Sequence, residues 1–404
     1  MAARKKAGTA PATMQPEPSN VSAGARTPNN NRRVIFTGQV GLDKSLFIRR
    51  IKDEIQALLK RAFPDEDSRP EVHVHNVGQM MYEEEPSIRR GRILWVPPGR
   101  LRNIRRAVFR DILQETSRGG YHLINAHAAF RWNHGLFRAL DLDQLRDLSP
   151  TMWITVVDSL QTVHARLMRE HRTLRASLKD VLDWREEEIL ASDIYSEALG
   201  LEGRHYVVAR GPNDIRAVGV ARLIIDPNVP KAYPSFPMTF INRTPEVRPL
   251  VEEFRALMTG PFVVFDPGDI DEKRLTACAK AAKKKGQKTF NVVIDGEPWP
   301  LSVAEVLSID QHIEAQIIAR DFRLIDQSDA ICSLIPEDAE GKPVLSSGVE
   351  RELAHAYEMG RVVGIVWRSK NEGSPFITAN ADIIAPTPQE LIERLLQSGL
   401  LKEG

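Results

Sequence analysis

The chain has 404 residues, of which 42% are hydrophobic and 27% charged, and its formal net charge is +1. This length suffices for two or three folded domains, and the composition is ordinary for a soluble globular protein. A net charge near zero gives no general attraction to nucleic acid or membranes, and two cysteines, Cys278 and Cys332, argue against a disulfide framework or a cysteine-rich metal site.

The N-terminal residues 1–31 are rich in Ala, Pro, Ser, Thr and Asn, with Glu17 as the single acid. Such a segment buries too little apolar surface to offset its ordering entropy, so it is predicted to be a disordered, solubilising tail. A weak contact with an acidic partner is the alternative. Basic residues there precede no apolar segment, and no run approaches the roughly 18 apolar residues of a membrane span. We therefore expect a cytoplasmic protein that does not cross a membrane.

The first ordered segment combines a strand at residues 34–37, a loop with glycines and a helix. The loop has the spacing of a P-loop in Gly38, Gly41, Lys44 and Ser45. In a P-loop, backbone amides and the helix N-terminus bind phosphates. Lys44 is then expected to contact the β and γ phosphates of ATP, and Ser45 to hold Mg²⁺. Asp43 stands where the motif has glycine, so a degenerate or differently tuned loop is the alternative.

Two further strands are predicted at residues 121–127 and 152–158, each ending in polar residues. His127 ends the first of them and His134 lies beyond it; both are candidates for substrate contact, although a lone histidine is more often structural. Asp158 ends the second strand and is a candidate for contacting Mg²⁺ through water, as a Walker-B acid does. A cap for the next helix is the alternative role for Asp158.

A charged helical region follows, and it carries four candidate phosphate-binding arginines: Arg166, Arg169, Arg172 and Arg185. Together with the P-loop and the order of elements, residues 33–211 resemble the adenylate-kinase-like nucleoside monophosphate kinases. The resemblance implies that these arginines belong to a lid and stabilise charge on the transferred phosphoryl group. We predict a nucleotide-binding domain at residues 32–211, followed by a linker at 212–230.

The second predicted domain spans residues 231–404. Two short apolar segments, Ala330–Ile335 and Val362–Trp367, are typical of strands covered on both faces. Between them, Ser347 and Glu350 have the spacing of a capping box at a helix start. Glu352 is left without a structural role, one turn into this helix and beside a strand end, where open α/β sheets bind ligands. A carboxylate there could attack a sugar anomeric carbon, with Asp321 as a second carboxylate that supplies or steers a proton.

These residues resemble the nucleoside 2-deoxyribosyltransferases and the related deoxynucleoside-monophosphate N-glycosidases. The motifs are Arg-Asp at 320–321, Ser-Asp at 328–329 and Ser-Ser-Gly-Val-Glu-Arg-Glu-Leu at 346–353. Residues 232–239 resemble the family's first strand and substrate loop, although the expected glycine is absent and two prolines are present. The resemblance implies Glu352 as nucleophile and Asp321 as its partner. Substrate contacts are expected from Ser235, Met238, Ser346, Ser347 and Gly348.

The predicted fold class is α/β, with two doubly wound parallel-sheet domains: a P-loop fold, then a flavodoxin-like deoxyribosyltransferase fold. The leading hypothesis is a nucleotide-metabolism enzyme that binds ATP and Mg²⁺ and cleaves or transfers the N-glycosidic bond of a (deoxy)nucleoside or its 5′-monophosphate. The first domain would add a nucleoside monophosphate kinase-like activity.

The alternative is a regulatory, nucleotide-sensing protein whose second domain, with Glu352 as a solvated residue, performs no chemistry. A third hypothesis, a nucleic-acid-binding ATPase, depends on the lysine run at 280–288. Such a run more often marks a solvated surface, so no specific nucleic acid is expected as a partner. A homo-oligomer is compatible with the resemblance, since folds of this family often complete their sites across subunits.

Overall fold

The computed structural model describes residues 31–132, 135–171, 174–211, 214–370, 373 and 375–401. These residues form two five-stranded parallel sheets flanked by helices, so the predicted α/β class is confirmed. The tail predicted at residues 1–31 lies, apart from Asn31, outside the described residues. Among the helices that are described, none combines the length and apolarity that a membrane crossing requires.

The first sheet has the strand order β2-β3-β1-β6-β7, and a separate hairpin joins β4 to β5. The elements of this first half are, in chain order, β1 (Asn31–Thr37), α1 (Lys44–Ala62), β2 (Val72–Asn76), α2 (Val77–Glu84), α3 (Pro98–Thr116), β3 (Gly120–Asn125), β4 (Ala129–Trp132), β5 (Gly135–Arg138), α4 (Leu142–Leu148), β6 (Met152–Val157), α5 (Leu160–Glu170), α6 (Leu178–Ala198), β7 (His205–Ala209) and α7 (Ala217–Ile225).

The second sheet has the strand order β14-β13-β12-β8-β9, and β10 pairs with β11 in a second hairpin. The elements of this second half are β8 (Lys231–Ser235), α8 (Met238–Arg243), α9 (Arg248–Thr259), β9 (Val263–Val264), α10 (Glu272–Lys284), β10 (Thr289–Ile294), β11 (Glu297–Ser302), α11 (Val303–Ser308), α12 (Asp310–Asp326), β12 (Ala330–Ile335), α13 (Ser347–Glu358), β13 (Val362–Trp367), α14 (Pro375–Thr378), β14 (Ile383–Ala385) and α15 (Pro388–Gln397). Short 3-10 turns lie at Ile93–Trp95, Pro245–Val247 and Pro267–Asp269.

The central strands are apolar throughout because both of their faces are covered. Every residue of β12 is buried, and this strand pairs in parallel with β13 on one side and β8 on the other. All six residues of β6 are likewise buried between β1 and β7. Helices pack closely on these faces. A Cβ atom on Gly364 of β13 would lie 2.9 Å from Leu391 of α15.

Pro234 lies in a strand, where the missing amide hydrogen normally breaks a sheet ladder. The neighbouring strand β9 is only two residues long and pairs with Lys231 and Ala232. Pro234 is therefore beyond the end of that ladder, and on its other side it is in register with Cys332 of β12. The proline is tolerated because β8 has no partner strand on one side at this position.

The two sheets share one continuous apolar core, and the segment expected to be a linker helps to build it. Within residues 212–230, α7 buries Val220, Leu223 and Ile224. The Tyr206 ring of the first half stacks on the Phe265 ring of the second, with 6.0 Å between the ring centroids. Because this core is shared, the first half can place side chains next to functional groups of the second.

Candidate active site

Glu352 lies in the second turn of α13, which follows the central strand β12. The helix is capped by Ser346, whose Oγ accepts a hydrogen bond from the amide of Val349 at 3.3 Å. The predicted capping box of Ser347 and Glu350 was therefore wrong by one residue, since Ser347 is already helical. Glu350 is exposed, and Glu352 points toward β8 instead.

The Glu352 carboxylate contacts the end of β8. Ser235 is buried and donates a hydrogen bond from Oγ to Glu352 Oε2 at 2.6 Å. Burial raises the pKa of Glu352 to about 7, the bond from Ser235 opposes this rise, and the negative charge of Asp321 adds to it. The carboxyl group is consequently divided between its acid and ionised forms near neutral pH.

Tyr233 lies beneath the same carboxylate, two residues before Ser235, and its side chain is fully buried. Burial raises the pKa of Tyr233 well above its usual value, and the charges of Glu352 and Asp321 raise it further. Tyr233 therefore stays a protonated phenol within the electrostatic range of both carboxyl groups. Its position follows from strand geometry, because residues 233 and 235 face the same side of β8.

Asp321 lies on α12 and is paired with its neighbour Arg320. The Arg320 Nη2 and Nε atoms lie 3.2 and 3.3 Å from Asp321 Oδ1. Burial raises the pKa of Asp321, whereas the positive charges of Arg320 and Lys273 lower it. The sequence-predicted carboxylates Glu352 and Asp321 thus act electrostatically on each other, with Arg320 balancing the charge of one of them.

Glu272, the first residue of α10, is completely buried behind this pair. Its Oε2 lies 3.8 Å from Arg320 Nη1, and its Oε1 accepts a hydrogen bond from Arg185 Nη1 at 2.7 Å. The amide of Leu160 donates a further hydrogen bond to the same carboxylate at 3.0 Å. Arg185, expected in a phosphate-binding lid, therefore joins the first half to the second next to the candidate active site.

The remaining residues expected to bind substrate form no described contact with Glu352. Met238 begins α8 and lines a cavity of about 620 Å³ that Asp321 also borders. Ser347 and Gly348 are exposed at the start of α13, beside the capping residue Ser346. Their amides and hydroxyls are accessible to an anionic ligand at a helix N-terminus.

In the first half, the loop after β1 adopts backbone conformations that favour glycine. Gly38 cannot be replaced without clashes, because its φ is +138° and a Cβ atom would lie 2.5 Å from the Val156 carbonyl oxygen. Gly41 is buried against α5. Asp43 adopts the left-handed conformation, with φ 52°, directly before α1. An aspartate tolerates this conformation better than most residues, which explains how it can stand in the place of a glycine.

Lys44 is buried, and its ammonium group contacts its own loop. Lys44 Nζ donates a hydrogen bond to the Gly38 carbonyl at 2.6 Å and lies 3.3 Å from His127 Nδ1. Burial lowers the pKa of Lys44 to about 8, whereas the Glu188 carboxylate raises it. Burial and the charge of Lys44 hold the pKa of His127 well below its usual value, so the imidazole is neutral.

Glu188 of α6 occupies the position of an anion beside Lys44. The amides of Gly38, Ala128 and Ala129 donate hydrogen bonds to its carboxylate at 2.9, 2.7 and 2.9 Å. Its side chain is 1% exposed. Burial raises the pKa of Glu188, and Lys44 and these three amides lower it. The Glu188 carboxylate thus interacts with the amides and the lysine that a phosphate would otherwise contact.

Ser45 and Asp158, the predicted Mg²⁺ ligands, are not brought together by any described contact. Ser45 Oγ accepts hydrogen bonds from Asn76 Nδ2 at 2.9 Å and Asn125 Nδ2 at 3.1 Å. Asp158 accepts a hydrogen bond from the amide of Ser159 and pairs with Arg166 at 3.3 Å. Since a hydroxyl oxygen has two lone pairs, Ser45 has none left for a metal in this arrangement.

The residues of this loop therefore do not fit bound Mg-ATP as they are arranged. Glu188 would repel the phosphates, and Ser45 would have to release its two asparagine partners. Within the described ranges, no group of three or more His, Cys, Asp or Glu side chains is placed to hold a metal ion. ATP binding by this loop stays a prediction, and it requires Glu188 to be displaced.

The other arginines assigned to a lid contact the hairpin of the second half. Arg166 Nη2 pairs with Asp295 Oδ1 at 2.6 Å, and Arg169 Nη1 lies 3.5 Å from Asp295 Oδ2. The Arg169 guanidinium also lies 5.3 Å from the centre of the Trp299 ring. Arg172 and His134 lie outside the described residues. Asp295, in an Asp-Gly turn, thus pairs with both described arginines of α5, and Asp158 is a second partner of Arg166.

The fold brings to these sites several groups for which the sequence predicted no role: Tyr233, Glu188, Glu272, Lys273 and Arg320, the last of which belongs to the predicted Arg-Asp motif. Tyr233 had a signal, because it alternates with Ser235 on one strand. Glu188 and Glu272 had none, since each lies in an ordinary charged helical segment and becomes buried only through contacts more than 50 residues away in the chain.

No family model matches this chain, and no curated protein matches it significantly.

Proposed function

We propose that the second half cleaves or exchanges the N-glycosidic bond of a (deoxy)nucleoside or its 5′-monophosphate, with Glu352 as nucleophile. The observation that carries this proposal is the surroundings of Glu352. A carboxyl group with a pKa near 7 is oriented by Ser235 and lies in the electrostatic range of Asp321 and Tyr233. Perturbed carboxyl groups of this kind are typical of sites where one acid attacks or protonates a sugar derivative.

The strand order supports the same position for the site. Counted within the second half and without its hairpin, the sheet has the doubly wound order 2-1-3-4-5. The order reverses between β8 and β12, and ligands of such sheets bind outside the carboxyl ends of the strands at that point. Ser235 ends β8, and Glu352 lies on the helix that follows β12.

The proposed reaction has two steps. In the first, a bond forms between a Glu352 carboxylate oxygen and the anomeric carbon, the carbon–nitrogen bond breaks, and the departing base takes up a proton from the acid form of Asp321. Water or a second base then attacks the anomeric carbon, gives a proton back to Asp321 and releases the Glu352 carboxylate. Ser235 fixes the orientation of the carboxylate, and Asp321, whose pKa burial raises, steers the proton beside it.

The alternative is a nucleotide-sensing protein without chemistry, and one observation favours it. Lys44 contacts the carbonyl of its own loop, and Glu188 occupies the neighbouring amides. A loop that is closed by an internal carboxylate has to open when nucleotide binds. This property suits a switch better than it suits an enzyme of rapid phosphoryl transfer. In that case Glu352 would contact a bound nucleotide without attacking it.

The test uses Glu352→Gln, with Glu350→Gln as the matched control on the same helix. Purified proteins are incubated with nucleosides and nucleoside monophosphates, and free bases are measured by chromatography. We expect base release by the wild type and by Glu350→Gln, and a loss of roughly 10³-fold or more in Glu352→Gln. Equal rates in all three proteins would exclude Glu352 as the nucleophile. Nucleotide binding without base release by the wild type would favour the sensing function.

A further inference from the structure

A basic cavity of about 620 Å³ borders Asp321 on the side of α8 and α10. We use the name "basic cavity" for the space lined by Met238, Arg243, Arg248, Lys273, Arg274 and Asp321, among others. Its volume is in the range of sites that enclose a whole small-molecule ligand. Asp321 forms part of its wall and its charge also acts on Glu352, so the cavity lies on the Asp321 side of the catalytic carboxylate.

Four cationic groups of the basic cavity lack a described ion-pair partner, although the charge of Lys273 also acts on Glu352 and Asp321. Arg243, Arg248, Lys273 and Arg274 form no ion pair with any residue that the structure describes. Arg320, which also lines this space, is already paired with Asp321 and lies near Glu272. The remaining acid in the wall is Asp271, whose carboxylate caps α10 by accepting a hydrogen bond from the amide of Arg274.

Four cations against the single carboxylate of Asp271 leave three positive charges uncompensated. Like charges brought together around one cavity repel each other, and this arrangement becomes favourable when a ligand supplies negative charge. A phosphate monoester carries about 1.5 to 2 negative charges near pH 7 and would leave part of the positive charge unmatched. A diphosphate carries about three, and its oxygens suit the forked donors of arginine.

We propose that the basic cavity binds the diphosphate portion of the substrate, so that the substrate class is an N-glycoside bearing two or more phosphates. This inference rests on the proposed function, because it assumes that the sugar of the same molecule lies at Glu352. Nucleoside diphosphates and triphosphates, whose terminal phosphate is free, match or exceed this charge. A dinucleotide linked through a pyrophosphate is esterified at both ends and carries only about two negative charges, so it matches the basic cavity less well.

The first experiment measures binding by titration calorimetry with inorganic phosphate and inorganic pyrophosphate as probes. The variant is Arg243→Ala/Arg274→Ala, and the matched control is Lys283→Ala/Lys284→Ala, which removes the same charge from the distal end of α10. We expect pyrophosphate to bind at least tenfold more tightly than phosphate to the wild type. We also expect at least a tenfold loss for the arginine variant and less than a twofold change for the lysine control. Equal binding of the two probes, or an equal loss in the control, overturns the proposal.

The second experiment follows base release from a nucleoside and from its mono-, di- and triphosphate, together with one pyrophosphate-linked dinucleotide. The expected result is a higher kcat/KM for at least one diphosphate-containing substrate, with KM raised at least tenfold in Arg243→Ala/Arg274→Ala. Faster release from the di- or triphosphate would identify a substrate whose terminal phosphate is free. Faster release from the dinucleotide would identify a substrate whose phosphates are both esterified.

These measurements separate the two proposals. Base release from the monophosphate alone refutes this inference and leaves the proposed function intact. Tight pyrophosphate binding without base release from any substrate refutes the proposed function and leaves the anion site standing. Since Arg243 and Arg274 are both exposed, the variant is expected to fold normally, and its thermal unfolding midpoint verifies this.

Discussion

Arg185 on α6 donates hydrogen bonds from Nη1 and Nη2 to the two carboxylate oxygens of Glu272 on α10, at 2.7 and 3.2 Å. Both side chains are almost fully buried, and Gln316 accepts a further hydrogen bond from Arg185 Nη2 at 2.6 Å. The pair connects the first half of the chain to the residue preceding Lys273, whose charge acts on both Glu352 and Asp321. An arginine that the sequence places in a phosphate-binding lid is instead a buried link between the halves.

Replacing Arg185 by methionine is expected to lower the free energy of unfolding by about 3–5 kcal/mol, because Glu272 then stays buried without its main cation. The control Arg323→Met breaks the part-exposed pair with Asp193 and should cost about 0–1 kcal/mol. Urea unfolding measures both. The double variant Arg185→Met/Glu272→Gln should recover part of the loss, since the uncompensated charge is gone. Equal costs for Arg185→Met and Arg323→Met would show that burial does not govern this pair.

The rate of base release is expected to rise with pH through about 7, because Glu352 must be ionised to attack and burial raises its pKa to about 7. Ser235→Ala removes a hydrogen bond that lowers this pKa. The pH profile of kcat/KM should then shift upward by about one unit. Ser333→Ala is the matched control, since Ser333 is in register with Ser235 and its buried hydroxyl has no described hydrogen-bond partner. A rate that falls as pH increases would identify Glu352 as an acid instead.

Glu352 is also expected to destabilise the native protein above neutral pH. Its pKa is raised from 4.5 to about 7, so the native state holds the proton more tightly than the unfolded state. The cost of ionisation is absent below pH 4.5 and complete above pH 7, with an upper limit of about 3 kcal/mol. Because the side chain is only part-buried, we expect Glu352→Gln to stabilise the protein by about 1–2 kcal/mol at pH 8.

Urea unfolding of the wild type and Glu352→Gln at pH 4 and pH 8 tests this dependence. The difference between the two proteins should be small at pH 4, where the carboxyl group is protonated in both states. A stabilisation of the same size at both pH values would mean that ionisation is not its source.

Glu188→Ala is expected to increase the affinity for ATP, because it frees the amides of Gly38, Ala128 and Ala129 beside Lys44. Glu187→Ala is the matched control, since the neighbouring Glu187 pairs with Arg131 away from the loop. Titration with a fluorescent ATP analogue should show that only Glu188→Ala binds at least tenfold more tightly than the wild type. This factor corresponds to about 1.4 kcal/mol of binding free energy. Adding Lys44→Met should abolish the gain. Wild-type binding as tight as that of Glu188→Ala would show that the carboxylate does not compete with phosphate.

Much of the secondary structure could be predicted because it depends on local patterns. The bounds of β12 and β13 agree with the apolar runs that predicted them, since both strands are buried on both faces. The strand β2 was missed because it alternates two histidines with valines at the edge of the sheet. The helix α7 was assigned to a linker, because turn residues flank a short apolar run that only tertiary packing makes helical and buried.

The sequence by itself determined the positions of the candidate functional residues within their helices. Glu352 lies one turn into the helix after a central strand, and Lys44 begins the helix after β1. These positions follow from apolar periodicity, caps and glycines, which act over a few residues. Only the tertiary structure decided the partners of those residues. Glu188 reaches the loop of Lys44, and Arg185 reaches Glu272, across 150 and 87 positions of the chain. Burial and charge pairing act through space. The order of residues along the chain does not indicate which charges, distant in sequence, become neighbours in the fold.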